Sequence, residues 1–99
     1  VLIIDDMIDT AGTTVNAASA AIENGANSVT AIATHAILSG PAIDRIKESK
    51  ISKLIVTDTI SIPDNKKLDN MQIVTVAEVF AEAIKRVYEG KSVSALFEF

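Results

Sequence analysis

The sequence predicts an α/β fold with a mainly parallel sheet flanked by helices, and three observations support this. Short runs of β-branched and aliphatic residues alternate with helix-length amphipathic stretches along the 99 residues. A complete helical stretch separates the first two strands, which favours right-handed crossovers and parallel pairing. Hydrophobic residues form 48% of the chain, enough for the core of one small domain.

The elements follow in the order strand, helix, strand, helix, strand, strand, helix. Residues 1–4 predict a strand that is covered on both faces, like the central strand of a parallel sheet. A helix runs from Thr13 or Thr14, which offer hydroxyl N-caps, to about residue 24. Its small residues would let it lie close to the sheet, with Val15, Ala18 and Ile22 facing inward.

The second half of the chain continues this alternation. Strands are expected over residues 28–34, 54–57 and 72–76, with a short helix after Pro41 and an exposed loop over residues 61–70. A final helix over residues 77–88 carries an apolar stripe composed of Val79, Phe80, Ala83, Ile84 and Val87.

Composition excludes several classes of function. The formal charge is −4, the lysines are dispersed and only four residues are aromatic, so no nucleic-acid partner is expected. No run reaches the ~18 apolar residues of a membrane span, and no secretion signal is visible. Cysteine is absent, which fits the cytoplasmic location that we expect.

The candidate site lies in the first thirteen residues, VLIIDDMIDTAGT. Asp5 and Asp6 are predicted where the first strand emerges from the sheet, which is where ligands bind in such folds. Residues 9–13 follow with small side chains and exposed N–H groups before a helix, an arrangement suited to a phosphate. Carboxylates beside a phosphate loop indicate a hydroxylated, phosphorylated ligand such as a sugar phosphate.

The same segment resembles the phosphoribosyl-pyrophosphate motif of the type I phosphoribosyltransferases, in the form found in ribose-phosphate pyrophosphokinases. The resemblance continues through THAILSGPA, IVTDTI and SVSALF, so it spans the chain. The chain is similar to the C-terminal part of these enzymes. The resemblance therefore implies that residues 1–99 are one incomplete phosphoribosyltransferase-like domain, with an N-terminal part of the parent protein missing.

This resemblance assigns roles to particular residues. Asp5 and Asp6 would contact the ribose hydroxyls and reach Mg²⁺ through the substrate, and the loop would hold the 5-phosphate of ribose 5-phosphate. The loop residues are Asp9, Thr10, Ala11, Gly12 and Thr13. Ala11 stands where close relatives often have Gly, and Asp9 fits beside a phosphate only if its carboxylate braces the loop or accepts the C1 hydroxyl.

The resemblance also implies what surrounds the site. The ATP site and the catalytic groups would lie in the missing part, so no catalytic residue is expected here and the isolated chain should be inactive. Ser92 and Ser94 are candidate residues of an effector site for phosphate or ADP. The parent enzyme is expected to be a homo-oligomer, a hexamer in the resembling family, and Phe97 and Phe99 would suit burial against another subunit.

The sequence is also compatible with three other functions. A phosphoribosyltransferase uses the same motif, and a non-catalytic regulatory subunit of such synthetases would look almost identical over this span. A receiver-type signalling module also begins with a strand ending in two acids, and Asp58 could imitate its third acid, but its lysine is missing. His35 is expected to bond to neighbouring groups more readily than to bind a metal, whereas Asp58 is expected either to cap a turn or to help line the crevice.

Overall fold

A computed structural model describes residues 1–97 and shows the predicted alternation of strands and helices. Within that range the strands are β1 (Leu2–Ile8), β2 (Val29–Ala36), β3 (Ile51–Thr57) and β4 (Met71–Val74). The α-helices are α1 (Gly12–Glu23), α2 (Ala42–Lys47) and α3 (Ala77–Tyr88), and short 3₁₀ segments cover Asp64–Lys66 and Ser94–Phe97.

The strands form one parallel sheet in the order β1-β2-β3-β4. Its register places Ile3 beside Ala31, Ala31 beside Leu54, and Leu54 beside Met71, so these four side chains form one row across the sheet. The fold class predicted from the alternating pattern is confirmed.

β1 lies at the edge of this sheet and exposes one of its faces, which corrects the prediction of a central strand covered on both faces. Right-handed crossovers between strands in chain order place successive helices on one face, and α1 and α2 do contact each other. Side chains alternate along β1, so Ile3 packs against the core while Leu2 and Ile4 are 63% and 74% exposed. The second face of β1 carries no helix among the residues that the structure describes.

The core between sheet and helices is built largely from small side chains. Ala18 of α1 is fully buried, and Ala31 and Ala33 of β2 lie beneath the helices. Val15 and Ile22 of α1 pack against the same cluster, which confirms the predicted inner face of this helix. Small residues let a helix axis approach a sheet closely, so the start of α1 is held near the end of β1.

Several boundaries differ from those predicted. β1 continues to Ile8, so the two acids lie inside the strand. β2 and β3 also extend further, because backbone pairing to a neighbouring strand continues past the apolar residues. α1 begins at Gly12 with Ala11 in the N-cap position, so neither Thr13 nor Thr14 caps it. The loop predicted over residues 61–70 is confirmed apart from its short 3₁₀ turn.

α3 forms over the predicted residues, but its apolar stripe is not buried. Phe80, Ile84 and Val87 are all more than half exposed, and α3 makes few contacts with the sheet. The periodicity predicted the helix and the residues of its apolar face correctly, but periodicity carries no information on whether another surface covers that face.

The end of the chain is described only in part. Residues 94–97 form a 3₁₀ segment, while Phe99 and the side chain of Phe97 lie outside the described residues, so their predicted burial stays a prediction. None of the helices seen in residues 1–97 has the length and apolar content needed to cross a bilayer.

The contrast between core and stripe gives a stability prediction. Leu54→Ala should lower the free energy of unfolding by about 2–5 kcal/mol, because this side chain is fully buried. Ile84→Gln should change it by less than about 0.5 kcal/mol, since Ile84 is 71% exposed. Urea denaturation at low protein concentration measures both. A loss for Ile84→Gln as large as that for Leu54→Ala would show that the stripe is covered in solution.

Candidate functional site

The end of β1 and the start of α1 enclose a cavity of about 220 Å³. It is lined by Asp5, Met7 and Ile8 of the strand and by every residue from Asp9 to Thr14. All five loop residues predicted for a phosphate therefore lie together with one of the two predicted acids. The cavity is at the carboxyl end of a parallel strand, which is the predicted place.

Because successive side chains of a strand point to opposite faces, the two acids of β1 lie on different faces of the sheet. Asp5 lines the cavity, and one of its carboxylate oxygens accepts the backbone N–H of Asp6 at 2.8 Å. Asp6 points to the opposite face of the sheet and does not line the cavity. Because β1 runs past both acids, the structure brings Asp5 to the candidate site and leaves Asp6 outside it.

The loop presents backbone N–H groups to the cavity. Ala11 has φ 68 and ψ 6, a left-handed conformation, and the helical residues follow it directly. This sequence of conformations makes neighbouring N–H groups converge into an anion-binding concavity. The first helical hydrogen bond runs from Val15 N–H to Ala11 O, at 3.0 Å. The N–H groups of Gly12, Thr13 and Thr14 precede it and have no acceptor within the helix.

The connection after β2 holds this loop in place. The N–H groups of Ile37 and Leu38 both donate to Ile8 O at 3.0 Å, and Ser39 N–H donates to Asp9 O at 2.9 Å. Leu38 is buried in a left-handed conformation, with φ 54, and its carbonyl oxygen accepts Lys66 Nζ at 3.0 Å. The THAILSGPA segment thus supports the site through its backbone.

A contact that the sequence did not reveal comes from α2. Arg45 Nη1 donates to Thr10 O at 3.2 Å, and a Cβ added at Gly12 would lie 3.2 Å from the same nitrogen. The spacing of 35 residues between Arg45 and Thr10 follows no local pattern. The sequence offered no signal for this contact, or for the one between Lys66 and Leu38.

His35 is engaged by its neighbours, as expected. Its Nδ1 lies 2.8 Å from Thr59 Oγ1, and that hydroxyl donates to Thr34 O at 3.2 Å. Within residues 1–97, no group of three or more His, Asp or Glu side chains is placed to hold a metal ion by itself.

Asp58 accepts a hydrogen bond at the start of α3. Val76 N–H donates to its Oδ1 at 2.8 Å, and this bond, with a smaller contribution from the Thr75 side chain, holds the pKa of Asp58 below its ordinary value of 3.8. The capping role expected for this residue therefore matches the structure, and Asp58 does not line the cavity.

The two candidate effector residues are adjacent after α3. Ser92 Oγ and Ser94 Oγ lie 2.7 Å apart, and Arg86 Nη1 donates to Ser92 O at 3.1 Å. Both serines are exposed. Arg86 Nε is also paired with Glu82 Oε1 at 3.1 Å. Neither serine lines the cavity at the end of β1.

Comparisons with known proteins cover nearly the whole chain. The family model described as the phosphoribosyl synthetase-associated domain matches residues 1–98. A ribose-phosphate pyrophosphokinase of Caldanaerobacter subterraneus subsp. tengcongensis is 54% identical over 96 residues, which are 97% of this chain and 30% of that protein. One of Bacillus caldolyticus is 55% identical over 97 residues, covering 98% of this chain and 31% of that protein.

A solved structure supports the same likeness. The crystal structure of phosphoribosylpyrophosphate synthetase from Mycobacterium smegmatis superposes with a TM-score of 0.87 and 37% sequence identity, covering 90% of this chain and 30% of that one. The chain thus spans about 30% of the length of the relatives it matches. The prediction that the chain is the C-terminal part of such enzymes is wrong, and what the matches support is a chain that spans about 30% of these enzymes.

The left-handed Ala11 gives a prediction about the loop. Ala11→Val should lower the free energy of unfolding by more than about 2 kcal/mol, because a β-branched residue is strained at φ 68. Ala17→Val, on the exposed face of α1, should cost only about 0.5–0.7 kcal/mol. Ala11→Gly should stay within about 1 kcal/mol of wild type, because relief of strain offsets a lost methyl and a more flexible unfolded chain. Equal costs for the two valines, measured by denaturation, would contradict the left-handed assignment.

The lowered pKa of Asp58 predicts how stability depends on pH. The carboxylate is favoured in the folded state, so its contribution is complete above pH 3.8 and is lost as the pH falls from 3.8 through the folded pKa. The difference in unfolding free energy between wild type and Asp58→Asn should therefore shrink on acidification. Asp69→Asn, which removes an exposed loop charge, is the matched control. A difference that grows as the pH falls would refute this role.

Proposed function

Because this chain belongs to the phosphoribosyl synthetase-associated domain family, we propose that it forms the ribose 5-phosphate site of a ribose-phosphate diphosphokinase. The complete enzyme transfers the diphosphoryl group of ATP to the C1 hydroxyl of ribose 5-phosphate, giving phosphoribosyl pyrophosphate and AMP. Since the chain spans about 30% of its relatives' length, the activity belongs to a longer protein. Residues 1–99 would form part of one phosphoribosyltransferase-like domain in it.

The observation that supports this most strongly is the composition of the cavity. One wall carries the Asp5 carboxylate and the other carries the N–H groups at the start of α1. A carboxylate accepts hydrogen bonds from sugar hydroxyls, while the helix N-terminus favours a phosphate. Ribose 5-phosphate has both groups, at opposite ends of the same molecule.

In this proposal the residues of the chain bind and orient the sugar. Asp5 accepts hydrogen bonds from the ribose hydroxyls, and the N–H groups of Gly12 and Thr13 hold the phosphate. Asp9 braces the loop, since its carbonyl oxygen accepts Ser39 N–H. Its carboxylate would accept a hydrogen bond from the C1 hydroxyl. Phosphoryl transfer depends chiefly on such positioning and on charge neutralisation, so the acceptor hydroxyl is fixed for attack on the β-phosphorus of ATP.

Magnesium fits the acids at this site only together with substrate. Asp5 has one carboxylate oxygen engaged by Asp6 N–H and a second that can bind a cation. Mg²⁺ usually binds proteins through one or two carboxylates and completes its shell with water and substrate oxygens. When bound, it would neutralise phosphate charge. Asp6, on the other face, would have at most an indirect part in this site.

The remaining partners follow from the same proposal. ATP would bind through the rest of the enzyme, and Ser92 and Ser94, beside Arg86, would form part of an effector site for phosphate or ADP. The exposed stripe of α3 supports assembly into a homo-oligomer, which we propose to be a hexamer.

We also propose that the enzyme is located in the cytoplasm. The named relatives are pyrophosphokinases, which favours this activity over transfer of the sugar to a base.

Titration calorimetry with ribose 5-phosphate, with and without Mg²⁺, tests the proposed site. Wild type should bind saturably, and Asp5→Asn should weaken binding by about tenfold or more because a charged hydrogen-bond acceptor is lost. Gly12→Val should also weaken binding, because the added side chain crowds Arg45 Nη1 and displaces this guanidinium from the loop. Asp6→Asn should have a smaller effect than Asp5→Asn, as its carboxylate lies on the other face.

Asp69→Asn serves as the control, since it removes one acidic charge from an exposed loop away from the cavity. Circular dichroism establishes that each variant is folded. A folded wild-type chain that does not bind ribose 5-phosphate would refute the proposed site, and equal losses in Asp5→Asn and Asp69→Asn would show that only net charge matters.

A further inference from the structure

Arg45 is the cationic side chain of α2 that reaches the loop of the candidate site. Its Nη1 donates to Thr10 O at 3.2 Å and lies 3.2 Å from where a Cβ at Gly12 would stand. The guanidinium therefore lies close to both residues that flank Ala11 in the chain, Thr10 and Gly12. It does not line the cavity itself, so it approaches the loop from behind.

The hydrogen bond to Thr10 O determines where a neighbouring donor points. The carbonyl of Thr10 and the N–H of Ala11 belong to one planar trans peptide, in which these two groups point in opposite directions. A guanidinium that holds the carbonyl outward therefore turns the Ala11 N–H away from itself. This N–H stands next to the donors of Gly12 and Thr13, at the concavity formed by the left-handed Ala11.

The charges around the cavity make a cation useful at this position. Asp5 and Asp9 both line the cavity and would repel a phosphate dianion. Among residues 1–97, Arg45 forms no ion pair with a carboxylate, and it is the one basic side chain seen to hydrogen-bond to residues 9–14. Four of its five donors remain available beyond the bond to Thr10.

We propose that Arg45 is a positioning residue for phosphate binding: it fixes the Thr10–Ala11 peptide so that the loop N–H groups converge, and its charge offsets that of Asp5 and Asp9. This inference rests on the proposed function, because it concerns how the same cavity takes the phosphate of a sugar phosphate. It adds a residue from a different element, α2, to the site.

The experiment compares Arg45→Met with Lys47→Met, which removes the same charge from an exposed residue of the same helix. Ribose 5-phosphate is titrated into each chain, and the free energy of unfolding is measured for both. Arg45→Met should raise the Kd by about tenfold, and Lys47→Met by less than about twofold. Arg45→Lys, which keeps the charge with a simpler donor, should recover part of the affinity.

A spectroscopic measurement separates positioning from general stability. In ¹H–¹⁵N spectra without ligand, Arg45→Met should shift the amide signal of Ala11 strongly and leave that of Ala18, in the middle of α1, in place. Equal affinity losses in Arg45→Met and Lys47→Met, or a lower stability with unchanged Kd, would overturn the role of Arg45 and leave the proposed function standing. A folded wild type that does not bind would overturn the proposed function itself.

Discussion

The rest of the site depends on the backbone hydrogen bonds between the end of β1 and the connection after β2. The carbonyl oxygens of Ile8 and Asp9 accept N–H groups from residues 37–39, immediately beyond the pairing of the two strands. These bonds fix where β1 ends and where the loop turns toward α1. Without them the chain between Ile8 and Gly12 would have to be ordered by its ligand, at a cost in conformational entropy.

Packing and backbone strain act together around these bonds. Ala11 and Leu38 are both buried, both have positive φ, and they belong to consecutive connections at the same edge of the sheet. Each such conformation costs on the order of 1–3 kcal/mol and persists only where its surroundings determine it. Here the surroundings are an alanine-rich core and the side chains of Arg45 and Lys66, which bind carbonyl oxygens of the two loops. Stored strain of this kind is typical of preorganised binding loops.

Much of the molecule could be predicted from local pattern. The alternation of strand and helix predicted the parallel sheet, the inner face of α1 and the exact residues of α3. The carboxyl end of β1 was identified as the site because acids, small residues and a helix start follow one another there. The exposure of α3, by contrast, could not be predicted, since a stripe at helical spacing looks the same whether or not another surface covers it.

The sequence by itself determined the fold class, and it predicted the position of the candidate site along the chain and the proposed type of ligand, because all three depend on neighbouring residues and on periodicity. Only the tertiary structure decided which acid reaches the cavity, because the extension of β1 to Ile8 turns Asp5 toward the loop and Asp6 away from it. It also decided that Arg45 joins the loop. That contact links residues 35 apart, and its geometry depends on how α2 packs against α1 over the sheet.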